Sequence, residues 1–136
     1  MEEKPVNLTE QAREKFSHDI YASETTGIVI DLAEKDHAIC SFEIEPHHLN
    51  ANDVVMGGAV FTLADVTFAV AANTDNPSTV TLTSQITFMS PAKGKKLIAE
   101  AHCLRSGRST AVFLIDVTDD LGTKVASVST TGIRTG

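Results

Sequence analysis

Residues 47–73 read HHLNANDVVMGGAVFTLADVTFAVAAN. From Gly57 to Asn73 the residues are small or apolar, and Asp65 is the one charge among them. A run of this length and composition predicts a helix that is buried on most sides. A carboxylate inside such a helix is costly unless it is paired or has a task. The Gly57–Gly58 pair opens the run and leaves bare backbone N–H groups at the positive end of the helix. The segment therefore offers a helix start that accepts negative charge and one isolated acid.

Something must wrap such a helix, and the flanking sequence supplies it. Leu8 to His18 predicts a short amphipathic helix with Thr9 as N-cap and Leu8, Ala12, Lys15 and Phe16 as its stripe. Gly27–Leu32 and His37–Glu45 read as strands around the turn Glu34-Lys35-Asp36, with Ala38, Cys40, Phe42 and Ile44 on one face. Pro46, which lacks an N–H, ends the second strand. After Asn76-Pro77-Ser78 come four strand-like runs, 79–89, 96–105, 109–118 and 124–133, joined by short polar breaks. In the first, Val80, Leu82, Ile86 and Phe88 are expected on one face, and Thr79, Thr81, Thr83, Gln85 and Thr87 on the other. Short connections suit antiparallel neighbours. The expectation is an α+β domain over residues 1–136, one antiparallel sheet curled around the helix 57–73.

The 136 residues carry a net charge of −7, which argues against general nucleic-acid binding. No apolar run is long enough to cross a bilayer. The first residues, MEEKPVNLTEQ, are too acidic and polar for an export signal. Cys40 and Cys103 have no metal-ligand spacing and read as buried free thiols. A cytoplasmic protein is expected.

HLNANDVVMGGAVFTLAD followed by SQITFMSPAKG resembles the hotdog-fold thioesterases, and within them the phenylacetyl-CoA thioesterase-like (PaaI) branch. The resemblance spans about residues 24–135. It implies an acyl-CoA thioesterase in which Asp65 is nucleophile or general base. Gly57 would polarise the thioester carbonyl through its N–H, and Asn50 would orient substrate or water. Thr81 would lie near the attacking water. Met56 stands where relatives commonly carry a histidine. Met56, Gly58 and Phe61 are expected at the substrate. The family further implies a homodimer with shared sites, assembled into a homotetramer, with no metal and no cofactor beyond the CoA of the substrate.

Spacing adds a constraint of its own. Eight positions on one helix separate Gly57 from Asp65 by about 12 Å along the axis. Both groups must lie within about 3–4 Å of the reacting atoms. One helix cannot meet both demands, whereas two antiparallel helices across a two-fold axis can. CoA phosphates require basic side chains. Lys93, Lys95 and Lys96 cluster at one turn. Arg105 and Arg108 bracket another, where Gly107 would allow close approach of a phosphate.

Plainer readings stand beside these. Asp65 could have a structural partner, Gly57–Gly58 could serve helix packing, Asn50 could cap its loop, and Thr81 could be an ordinary strand threonine. His47 and His48 read as a solvated loop, and His18, His37 and His102 as scattered. Two other functions compete. A non-catalytic acyl-CoA-binding hotdog module draws on Met56. A hotdog hydratase is weakened by the absence of histidine from 57–73.

Overall fold

Helix α2 runs from Gly57 to Asn73, the bounds of the small-and-apolar run. Nine of its residues are buried, among them Val60, Leu63, Phe68 and Val70. The structure, a computed structural model, describes residues 7–136. Around α2 lie helix α1 (Leu8–Phe16) and strands β1 (Val29–Glu34), β2 (His37–Glu43), β3 (Thr79–Phe88), β4 (Lys96–Ser106), β5 (Thr110–Asp119) and β6 (Lys124–Arg134). The strands form one antiparallel sheet in the order β1-β2-β4-β5-β6-β3. This is the expected sheet around one helix. Phe42, Leu97, Ala99, Phe113, Ile115 and Val128 face α2 from the sheet and are buried. The ring of Phe68 on α2 meets Phe113 edge-on at 5.3 Å.

The far end of α2 is tied down by groups from other elements. Its last turn carries no basic residue of its own. Arg134 of β6 supplies the charge instead, donating to the carbonyl of Ala72 at 3.0 Å and to Thr79 Oγ1 at 2.7 Å. A cation at a helix C-terminus meets the negative end of the macrodipole. Asn73 Nδ2 donates to the carbonyls of Ala69 and Thr79, and its Oδ1 accepts from the Thr79 N–H. These bonds fix where β3 begins.

Several local details differ from the sequence reading. Asn7, not Thr9, caps α1 by accepting from the Glu10 N–H. Thr9 instead exchanges hydrogen bonds with the backbone of Ala33 on β1. The helix stops at Phe16, and a π-helical turn, Tyr21–Thr25, fills a stretch with no expected structure. β3 departs more consequentially. The pairing with β6 shifts between Thr81 and Thr83, so Leu82 is an extra residue. A bulge reverses the alternation beyond it. Thr79 and Thr81 face α2 before the bulge, and Ser84, Ile86 and Phe88 face it after. Val80 therefore lies on the outer face, beside its cross-strand partner Ile133, and not with Ile86 and Phe88.

The sheet has two edges, and they are treated differently. On β1, Arg13 Nε donates to the carbonyl of Ile30 and Thr9 engages Ala33, so α1 covers that edge. On β3, Asn73 takes up Thr79 only. Beyond it no group among the described residues covers the outward backbone. Val80, Leu82, Phe88 and Met89 are all half-exposed there. A long apolar edge strand left open is an invitation to pair with another chain.

Asp119 locks the two turns at one end of the sheet. Its carboxylate accepts from the N–H groups of Lys93, Gly94, Leu121 and Thr123. Burial alone would raise its pKa, but these donors together hold it well below the ordinary carboxylate range. Asp119 is thus a turn-locking acid.

Candidate functional site

Asp65 sits in the third turn of α2, on the strip of that helix the sheet leaves least covered. Phe61, Thr62, Asp65 and Ala69 along this strip are only partly buried, whereas Leu63, Ala64, Thr67 and Phe68 are fully enclosed. Partial burial pushes the Asp65 carboxyl above its ordinary value, and the like charge of Asp19 adds to the shift. The hydroxyl of Thr81, on the inward face of β3, acts in the opposite sense by hydrogen bonding. Asp65 and Thr81 of one chain thus lie close enough to interact. Among the described residues no basic side chain pairs with Asp65.

Gly57 is the first residue of α2 and Met56 its N-cap, with no side chain capping the helix. The amides of Gly57 and Gly58 have no acceptor among the described residues, so both point outward unused. A Cβ on Gly57 would lie 3.0 Å from Cζ of Phe88, so glycine keeps this ring close to the helix start. Met56 is 53% exposed and lies beside Gly58. An apolar cleft of about 340 Å³ opens at this helix start, lined by Val54, Gly57, Val60, Phe88, Met89 and Val125. Phe68 does not reach this cleft and is buried in the core against Phe113. The cleft's actual aromatic wall is Phe88, which the alternation of β3 alone could not assign.

Asn50 holds its own loop. Its Oδ1 accepts from the N–H groups of Asn52 (2.8 Å) and Val54 (3.3 Å), and its backbone pairs with Val54 and Asp53. The side-chain Nδ2 keeps its donors free among the described residues. The loop is anchored from behind by His48, which is buried and not solvated as a loop histidine would be. His48 Nδ1 accepts from the Glu45 N–H, so Nε2 carries the proton and donates to the Thr26 carbonyl at 2.8 Å. Its ring packs on Phe42 at 4.2 Å, and its carbonyl accepts from the Met56 N–H. His48 thereby joins the β2 end, the Asn50 loop and the start of α2. Adjacent histidines gave no periodicity from which one could be read as core.

Arg105 and Arg108 are exposed and in no ion pair among the described residues. Gly107 has a local reason to be glycine, since a Cβ there would lie 2.8 Å from the Thr110 carbonyl oxygen. Lys93, Lys95 and Lys96 are exposed, but their turn is built by backbone bonds to Asp119 and Asp120. A larger cavity of about 420 Å³ lies elsewhere, beside β1 and β2. Glu24, Asp31, Glu43 and Glu45 outnumber Lys96 along its lining, so it repels phosphate. Cys40 is a buried free thiol whose pKa burial pushes up to about 12, while Cys103 is free and only partly buried. His37 and His102, far apart in sequence, are cross-strand partners with rings stacked at 5.6 Å, so they are not scattered.

The sequence profile of the thioesterase superfamily matches residues 52–126. Human acyl-coenzyme A thioesterase 13 is 33% identical over 95 residues, covering 68% of each chain. Matched stretches take in about two thirds of such relatives' own length. The PaaI protein of Escherichia coli superposes with a TM-score of 0.83 at 26% identity, covering 95% of this chain and 96% of that one. A hypothetical thioesterase protein of Streptococcus pneumoniae, solved with coenzyme A, gives a TM-score of 0.82 at 25% identity, over 90% and 96% of the two chains. It has also been solved with alanine in place of an aspartate and of a threonine sixteen positions further on.

The raised pKa of Asp65 has a consequence for stability. A carboxyl whose folded value exceeds its unfolded one favours folding at low pH, and that contribution is lost as pH rises through the folded value. Asp65→Asn is expected to melt at a higher temperature than the parent near neutral pH. The gain should close below about pH 4, where the unfolded carboxyl is also protonated. Thermal melts across this range check both the sign and the window.

Proposed function

We propose that this chain, which belongs to the thioesterase superfamily and to its PaaI-like hotdog branch, hydrolyses acyl-CoA thioesters at sites shared by two subunits. The observation that carries the reading is Asp65: a lone, partly buried carboxylate with raised proton affinity beside the Thr81 hydroxyl. A base whose pKa is shifted toward neutrality takes a proton from water more effectively than an ordinary surface carboxylate. The relatives support the substrate class. One is an acyl-coenzyme A thioesterase and another was solved with coenzyme A. In the latter protein the two exchanged residues have the spacing that separates Asp65 from Thr81 here.

In this mechanism Asp65 accepts a proton from a water held near Thr81, and the water oxygen bonds to the thioester carbon. The carbonyl oxygen becomes an oxyanion facing the uncapped Gly57 N–H at the start of the partner's α2. Collapse breaks the carbon–sulfur bond, the proton held by Asp65 passes to the departing thiolate, and the acid and the CoA thiol are released. Direct attack by the carboxylate through an anhydride is the variant in which Asp65 is nucleophile. Gly58, Met56 and Phe61 contact the acyl-pantetheine portion, the free Nδ2 of Asn50 orients it, and the apolar cleft beside Gly57 receives the chain.

The open edge of β3 supports a homodimer, because antiparallel pairing there would satisfy its outward backbone and cover Val80, Leu82 and Phe88. It would also bring a second α2 toward the uncovered strip that carries Asp65. The outer-face pair Val80 and Ile133 supports a further contact between dimers, giving the homotetramer. Arg108, with Arg105 and Gly107 at the β4–β5 turn, is the proposed contact for CoA phosphate. Arg108→Glu should raise KM for acyl-CoA severalfold and leave a truncated thioester unaffected; equal effects on both substrates would remove that contact.

A second reading, an acyl-CoA-binding module without turnover, is favoured by Met56 alone, since a thioether cannot donate the hydrogen bond a histidine can. Release of free thiol from aromatic, short and long acyl-CoAs separates the two. The hydrolase reading predicts turnover that falls about a thousandfold in Asp65→Asn. Its rate should rise with pH through a pKa above the ordinary carboxyl range. Tight binding with no thiol released by the wild type would favour the module.

A further inference from the structure

The outer face of the sheet, opposite α2, carries a cluster that the thioesterase reading does not use. His37 on β2 and His102 on β4 are direct cross-strand partners, and Glu100 lies two residues before His102 on the same face. Their inward neighbours Ala38 and Ala101 are fully buried, which fixes the three polar side chains on the opposite side. His37 Nε2 lies 2.6 Å from Glu100 Oε2, and His102 Nε2 lies 3.7 Å from the other oxygen, Oε1. One ligand atom from each of the three residues falls within 4.8 Å of the other two.

We propose that His37, Glu100 and His102 bind a divalent transition-metal ion such as Zn²⁺, with water in the remaining position. Two imidazoles and one carboxylate are the donor set that such ions favour, whereas Mg²⁺ and Ca²⁺ prefer oxygen alone. Bonds of about 2.0–2.1 Å in a tetrahedral site put donor atoms about 3.4 Å apart. Rotation of half-exposed side chains reaches that spacing from the present one, and the paired strands already set the backbone. A further carboxylate is in place behind the first ligand. Glu34 Oε1 stands 3.8 Å from His37 Nδ1, the ring nitrogen left over when Nε2 takes the metal. Ligating histidines characteristically offer that second nitrogen to a carboxylate, which orients the ring and strengthens the donor. Asp116, the cross-strand partner of Glu100, adds a negative charge on the same face.

Such an ion would cross-link β2 to β4 in the middle of the sheet, on the face away from Asp65. It would act on stability and not on the chemistry, so its test is independent of the thioesterase reading. Zinc titrated by calorimetry into the metal-free full chain should bind one ion per chain and raise the melting temperature. Magnesium should do neither. Glu34→Gln should weaken binding about tenfold, and His37→Ala or His102→Ala should weaken it further. His47→Ala, which alters an exposed histidine elsewhere, should change nothing. Should the alanine variants fail to fold, the visible spectrum of the Co²⁺-loaded wild type decides, since a tetrahedral nitrogen–oxygen spectrum is expected. Absence of zinc binding, binding that survives loss of both His37 and His102, or a cobalt spectrum like that of the hydrated ion would overturn the site.

Discussion

A helix apolar on nearly every side cannot rest in water, and the architecture follows from enclosing α2. One sheet wraps most of the helix and leaves a single strip partly open. The helix's only carboxylate lies on that strip. Were Asp65 one position earlier or later along α2, it would replace Ala64 or Val66, both buried, where a charge without a partner is far costlier. On the strip its proton affinity is raised while the carboxyl stays open to solvent. The same enclosure sets the ends of the helix. Its C-terminus is held by Arg134 and Asn73, and its N-terminus is left uncapped with two free amides.

Helix length and sheet edges then bear on the same question from different directions. The start of α2 and Asp65 are too far apart along one rigid rod to act on one carbonyl. Side chains of α1 occupy the β1 edge, and the β3 edge is open beyond Thr79. The open edge is also the strand that carries Thr81 and Phe88, which approach Asp65 and Gly57 respectively. The element that would join two chains is thus the element that lines the candidate site in each. On the proposed reading, placing a reaction between subunits would require no extra device beyond that open strand.

Much of this was legible in the sequence because it rests on composition and period. The bounds of α2 coincide with the glycine pair and the end of the apolar run, and the strands fall within about two residues of their expected limits. Asp65 could be singled out as the only charge in a buried stretch. What escaped depends on contacts between distant residues or on one inserted residue. The bulge at Leu82 reverses the faces of β3, and nothing in an alternating sequence marks where an alternation slips. Arg134 caps a helix through the Ala72 carbonyl, 62 residues before it, and His37 meets His102 only through strand pairing. Thr9 and Asn7 are both good capping residues, and docking against Ala33 decides between them. His48 looks like its neighbour His47 until the Glu45 and Thr26 backbone groups it satisfies are in view.

The central claim is that one reaction uses Asp65 of one chain and the Gly57 amide of another. Gly57→Pro deletes that amide at the first helical position, where a proline φ suits the helix, and Met56 already has the extended backbone that a following proline requires; the tip of the Phe88 ring, 3.0 Å from a Cβ there, must move aside in that chain only. Each of Asp65→Ala and Gly57→Pro alone should be nearly inactive. Unfolding, mixing in equal amounts and refolding them together should restore about a quarter of wild-type thiol release, since half the dimers then carry one intact site of two. A mixture no more active than its components, with mixed dimers demonstrably formed, would contradict the account.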